Sequence, residues 1–135
     1  MTSTVVYKGD LRTELTHLQS GSIIENDAPS DNKGKGERFS PTDLLATSLG
    51  SCMITTMAIR AADMLLNFDD TKIEITKVMS TDAPRRIIEI KAHLFFTENF
   101  TATEEQKAQL IKIARSCPVD KSLHPDIKLD IVFNW

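Results

Sequence analysis

The sequence predicts an α+β fold, with antiparallel sheets wrapped around a long central helix. Two observations carry that expectation. Strand-like segments come in blocks, three before a single long apolar run and two directly after it, instead of alternating one by one with helices. The apolar run itself, Ser40 to Leu66, is the longest low-charge stretch of the chain, and Pro84 is the next proline after Pro41. The full expected order is βββ-α-ββ-α-α-β within one domain, residues 1–135.

Residues Thr4 to Glu25 read as a strand meander. Val5 and Tyr7 alternate with polar neighbours, Gly9-Asp10 marks a turn, and Leu11, Thr13, Leu15 and His17 alternate with Arg12, Glu14 and Thr16. Ser20-Gly21 is a second turn before Ile23-Ile24. The following polar stretch, Asn26 to Glu37, is rich in turn formers and predicts a surface loop, a length at which loops are often functional.

Ser40 is placed to cap the central helix, Pro41 suits its first position, and Asp43 complements the helix dipole in the first turn. A helix of roughly 25 residues would be about 38 Å long. Its apolar residues lie nearly all the way round, which predicts burial on most sides. A membrane span is the weaker reading, because Asp43, Arg60 and Asp63 bound the run and Thr47, Ser48, Ser51, Thr55 and Thr56 interrupt it. Gly50 costs the helix about 1 kcal/mol against alanine, so another backbone is expected to approach closely there.

Beyond a turn at Asn67–Thr71, Lys72 opens a strand whose alternation slips near Val78-Met79, the mark of a bulge. Thr81 to Arg86 turns the chain into a clean period-2 face of Ile88, Ile90, Ala92, Leu94 and Phe96. Thr103 followed by Gln106 is a capping-box pattern ahead of a second helix, with Leu110, Ile113 and Ala114 as its apolar stripe. Pro118 ends that helix near Ser116 or Cys117 and opens a short third one through Leu123. Ile127, Leu129, Ile131, Phe133 and Trp135 then share one face of a final strand.

Composition narrows the function. The chain has 135 residues, a net charge of −3 with acids and bases well mixed, and 6% aromatic residues. It carries neither the basic footprint nor the stacking platforms of a nucleic-acid binder. No secretory signal is visible at MTSTVVYKGDLR, and there is no internal repeat. Two cysteines are too few for a disulfide scaffold; in a cytosolic protein such a pair is inert, redox-active or metal-binding.

Taken alone, Cys52 in its apolar helix reads as a buried core cysteine. Cys117, directly before Pro118, reads either as a buried turn residue or as a thiol at the N-terminal end of a short helix, a position that can depress its pKa. Cys52, Cys117, His17 and His124 include zinc-ligand types, but their spacing matches no zinc pattern. His93 alternates with strand residues and reads as a sheet histidine.

SPTDLLATSLGSCM (Ser40 to Met53) together with SCPVDKSL (Ser116 to Leu123) resembles the OsmC/Ohr family of organic-hydroperoxide-reducing proteins, and the element order around them agrees across the chain. The resemblance implies an OsmC-like fold in an intertwined homodimer in the cytoplasm, using neither metal nor other cofactor and contacting neither nucleic acid nor membrane. It implies a thiol-dependent peroxidase with Cys52 as the peroxidatic and Cys117 as the resolving cysteine. Its partners would be a small organic hydroperoxide and an external dithiol reductant. Relatives pair an activating arginine from the N-terminal strands with a glutamate directly after the helix-opening proline. Here that position is Thr42. Arg12 and Arg38 are the candidate cations, with solvated surface cations the blander reading of both, and Glu37 and Asp43 are the candidate carboxylates. Thr42 favours a rival reading, an OsmC-fold binding module for an apolar small molecule without efficient turnover. A third reading makes both cysteines structural.

Overall fold

The computed structural model describes residues 1–135, which fall into two compact units, Met1–Leu45 and Ala46–Trp135. The first holds a three-stranded antiparallel sheet of β1 (Ser3–Gly9), β2 (Arg12–His17) and β3 (Ile23–Asp27). Gly9, Asp10 and Leu11 all take positive φ in the first turn, and Gly21 does so in the second. The strand β3 runs two residues past the expected end of the meander, because Asn26 and Asp27 pair across to Thr13 and Arg12. The loop beyond contains a 3₁₀ turn at Ser30–Asn32. Asn26, Asp27 and Ser40 are the buried residues of this unit, and all three are polar. Val5, Tyr7, Ile23 and Ile24 are exposed.

The helix α1 spans Pro41–Arg60 and crosses the boundary between the units. Ser40 and Asp43 close its start reciprocally: the Asp43 amide donates to Ser40 Oγ (3.1 Å) and the Ser40 amide to Asp43 Oδ2 (2.8 Å). At 20 residues α1 is about 30 Å long, shorter than expected. A 3₁₀ turn at Ala62–Met64 replaces its last stretch, with bonds three residues back from Met64 to Ala61 and from Leu65 to Ala62. Leu65, in the left-handed region at φ 54, closes the turn.

Within the chain, burial of α1 is confined to one stripe, Ala46, Leu49, Gly50, Met53 and Met57, while Leu45 and Ile59 are exposed. By length and composition alone α1 qualifies as a membrane-crossing helix. Its stripe nevertheless packs as that of a core helix, against residues of the second unit.

That unit holds β4 (Lys72–Met79), β5 (Ile87–Phe95), α2 (Glu104–Ala114), α3 (Pro118–Ser122) and β6 (Lys128–Asn134). The pairing of β4 with β5 is antiparallel, with the register shift at Val78/Met79 that the sequence implied. The pairing of β5 with β6 is parallel, so this sheet is mixed. A parallel partner needs a long crossover, and α2 with α3 supplies it. Thr103 and Gln106 form the capping box of α2. The core gathers Leu49, Met53, Met57, Ile90, Leu94, Leu110 and Cys117, with Ile73, Ile75, Leu129, Ile131 and Phe133 packed against it. What meets α1 at Gly50 is side chain and not backbone: an added Cβ would lie 2.9 Å from Ile75 Cδ1 and 3.1 Å from Ile73 Cγ2.

Candidate functional site

Cys52 sits three turns into α1, next to the buried Met53, and is itself half-buried. Cys117 lies far along the chain, at the junction between α2 and α3, with no exposed surface. Both thiols are free, and Cys52 is near enough to Cys117 to raise its thiol pKa. Two neighbouring free thiols are the groups that oxidation joins into a disulfide. Thr56 Oγ1 stands 4.0 Å from Cys52 Sγ, one turn further along α1.

The junction that carries Cys117 is held at several points. Ser116 and Cys117 donate their amides to Ile113 and Ala114, which extends α2 by a tight final turn. The Ser116 hydroxyl donates to Ile113 O (2.7 Å) and accepts from Arg60 Nη1 (2.8 Å), tying the junction to the end of α1. Cys117 is the N-cap of α3, and its sulfur accepts the Asp120 amide at 3.4 Å. The expectation of a depressed thiol pKa at this helix start is corrected. Burial pushes the Cys117 thiol up, the Asp120 amide opposes that only in part, and neighbouring Cys52 adds to the rise. Cys117 therefore remains a thiol while it faces Cys52.

In the Met1–Leu45 unit, the candidates Arg12 and Glu37 come together, with Asp27 between them. Arg12 Nε and Nη2 reach Asp27 Oδ1 and Oδ2 at 2.6 and 2.8 Å, a bidentate pair, and Nη2 also reaches Glu37 Oε2 at 2.8 Å. The Glu37 amide donates to Asp27 Oδ2 at 3.1 Å. Bonding to Arg12 brings the Asp27 carboxyl down to about 2, while Asp27 first and Glu37 second raise the Arg12 guanidinium further. Asp27 escaped the sequence reading because Asn26-Asp27 looks like the start of a loop. The register decides it: Thr16 pairs with Ile23 across a turn centred between Gln19 and Ser20, and that pairing carries Asp27 opposite Arg12.

Arg38 is bonded elsewhere, to Glu25 Oε2 (3.2 Å) and to the Glu37 carbonyl (3.1 Å), and is exposed. The Asp43 carboxylate serves the capping box of α1, and Thr42 Oγ1 lies 3.1 Å from Ser40 Oγ. Of the zinc-ligand types, His17 pairs with Ser20 (2.7 Å) and His124 lies beside Asp126 (3.6 Å). His93 stands in β5 as expected, its Nε2 buried without a hydrogen-bond partner.

A protein-family model described as OsmC-like protein matches residues 34–132. No curated protein sequence matches the chain. Among solved structures, a Psychrobacter arcticus protein, described as a candidate osmotic stress induced and detoxification response protein, is 48% identical with a TM-score of 0.93. The alignment covers 99% of this chain and 96% of that one. Two more distant structures share the fold. An organic hydroperoxide resistance protein OsmC of Legionella pneumophila is 12% identical, with a TM-score of 0.77 and 100% and 98% of the two chains covered. The organic hydroperoxide resistance protein OhrB of Bacillus subtilis is 15% identical, with a TM-score of 0.69 and coverage of 99% and 98%.

Proposed function

From the premise that this chain belongs to the OsmC-like protein family, we propose that it is a two-cysteine peroxidase that reduces organic hydroperoxides to alcohols. The observation that carries this reading is the neighbourhood of Cys52 and Cys117, two free thiols near enough that one acts on the ionisation of the other. The Cys52 thiolate attacks the terminal peroxide oxygen. The O–O bond breaks, the departing alkoxide takes up a proton to leave as alcohol, and Cys52 is left as a sulfenic acid. Cys117 then gives up its proton and attacks that sulfur; the S–S bond forms and hydroxide leaves as water. An external dithiol reduces the disulfide and closes the cycle. The dependence on reduced thiols suits a cytoplasmic location.

A thiolate beside apolar residues needs a cation. Arg12 is our assignment on the family resemblance; within its own unit Asp27 and Glu37 hold its guanidinium in a fixed geometry, despite Thr42 in the usual glutamate position. In this scheme Glu37 positions Arg12, and Asp43 secures the start of the helix that presents Cys52. We also assign the working form to a homodimer. The Met1–Leu45 unit buries no apolar side chain, while Val5 and Tyr7 are 63% and 64% exposed, an apolar surface of the kind a second copy would cover.

The test is to treat reduced protein with cumene hydroperoxide and follow alcohol release and free thiols together. Both thiols should disappear as one intramolecular Cys52–Cys117 disulfide, with one alcohol formed per disulfide. Cys52→Ser should abolish consumption, and Arg12→Ala should slow the first step by about 10²-fold or more. Thiols that survive excess hydroperoxide would reject the peroxidase reading in favour of a binding module.

A further inference from the structure

Cys117 has two tasks in the proposed cycle: to stay a thiol while Cys52 reacts, and then to attack. Its helix is too short to hold it in place, since α3 has five residues and such a segment has no stability of its own. The structure supplies an outside brace. Arg115 is the C-cap of α2, and its Nε donates to Asp120 Oδ2 at 2.8 Å. Lys121 Nζ lies 3.4 Å from the other oxygen, Oδ1. The Asp120 side chain is only 5% exposed, so this carboxylate is committed to the protein interior. The ion pair spans the turn from residue 115 to residue 120, with Cys117 in the middle, and the amide of the same Asp120 donates to the Cys117 sulfur.

We infer that Arg115 and Asp120 form a positioning pair for the second half-reaction, closing the α2–α3 junction so that Cys117 Sγ faces Cys52. This rests on the two-cysteine reading above. The pair acts through Cys117 and touches neither peroxide nor Cys52 in this role. Its chemistry follows from the contacts. Breaking the ion pair frees α3 to swing about Ser116 and Pro118 and withdraws the Asp120 N–H from the sulfur. The attack on the sulfenic acid then loses both its alignment and the donor that favours the developing Cys117 thiolate. The peroxide step, confined to Cys52, is left alone.

The experiment separates the two half-reactions in Arg115→Gln, Asp120→Asn and Arg115→Lys. Reduced protein is mixed rapidly with one equivalent of cumene hydroperoxide. Sulfenic acid is trapped with dimedone and the disulfide is measured by mass spectrometry. Arg115→Gln and Asp120→Asn should form the Cys52 sulfenic acid at the wild-type rate but close the disulfide at least about tenfold more slowly, so the dimedone adduct accumulates. Arg115→Lys, which keeps one charged donor for Asp120 and serves if the others fold poorly, should restore most of the rate. Wild-type disulfide rates in Arg115→Gln and Asp120→Asn, or equal slowing in all three variants, would overturn the inference. Should wild type ignore the peroxide, the peroxidase reading falls. Diamide, which oxidises two thiols to a disulfide as it is reduced to a hydrazine, then tests the brace alone, by the same ordering of rates.

Discussion

At neutral pH the Asp27 carboxylate is buried yet charged, because Arg12 grips both of its oxygens and the Glu37 amide adds a third bond. Its folded pKa, near 2 against an ordinary 3.8, makes it a source of acid sensitivity. A depressed carboxyl stabilises the fold fully above its unfolded value and loses that contribution as pH falls through the folded one. Urea midpoints measured from pH 2 to pH 7 should therefore show wild type more stable than Asp27→Asn above about pH 4, with the gap closing toward pH 2. A gap that stays constant across that range would mean Asp27 does not carry the charge assigned to it. Cys117 shows the complementary case. Its place at a helix start argued for an acidic thiol, but a sulfur with no contact to water obeys burial first. Sequence position alone cannot weigh those two effects, since only the fold reveals how deep the junction lies.

At the scale of elements, the order of strands and helices was readable from periodicity and punctuation, as were the Val78-Met79 bulge and the Thr103–Gln106 cap. The early end of α1 was not, because residues 61–66 contain neither glycine nor proline and the stop is made by 3₁₀ bonds and a left-handed Leu65. Nor was the parallel pairing of β6, a matter of where the crossover delivers the chain. Gly50 was singled out for the right reason and the wrong neighbour. Gly50→Ala should change stability by less than about 1 kcal/mol, because the gain in helix propensity offsets a contact with the movable tip of Ile75. Gly50→Val adds two further carbons toward Ile73 and Ile75 and should cost about 1–3 kcal/mol. Urea denaturation of both variants checks the pair of values. A valine variant as stable as wild type would show that β4 yields to α1 more easily than the contacts imply.

For the whole molecule, a joint role for the two cysteines is legible only through resemblance; each, read alone, favoured or allowed a structural role. The partnership of Arg12 with Glu37 was open to the same reasoning, whereas Asp27 needed the register of β2 with β3. The predicted assembly follows from what the Met1–Leu45 unit lacks. Light scattering at micromolar concentration should give twice the mass of one chain. Tyr7→Asp, which puts a charge among exposed apolar residues of β1, should shift the population toward single chains and lower the melting temperature. A wild-type protein that stays monomeric would remove the homodimer from the proposal.

The uneven distribution of apolar burial between the two units also bears on how the polypeptide matures. A ribosome releases residues 1–45 first, yet every greasy side chain shielded from water belongs to the segment released afterwards. Most proteins consolidate their beginning while the end is still being made. Here the late-emerging portion carries the buried apolar core, and the early portion leaves the ribosome without one of its own.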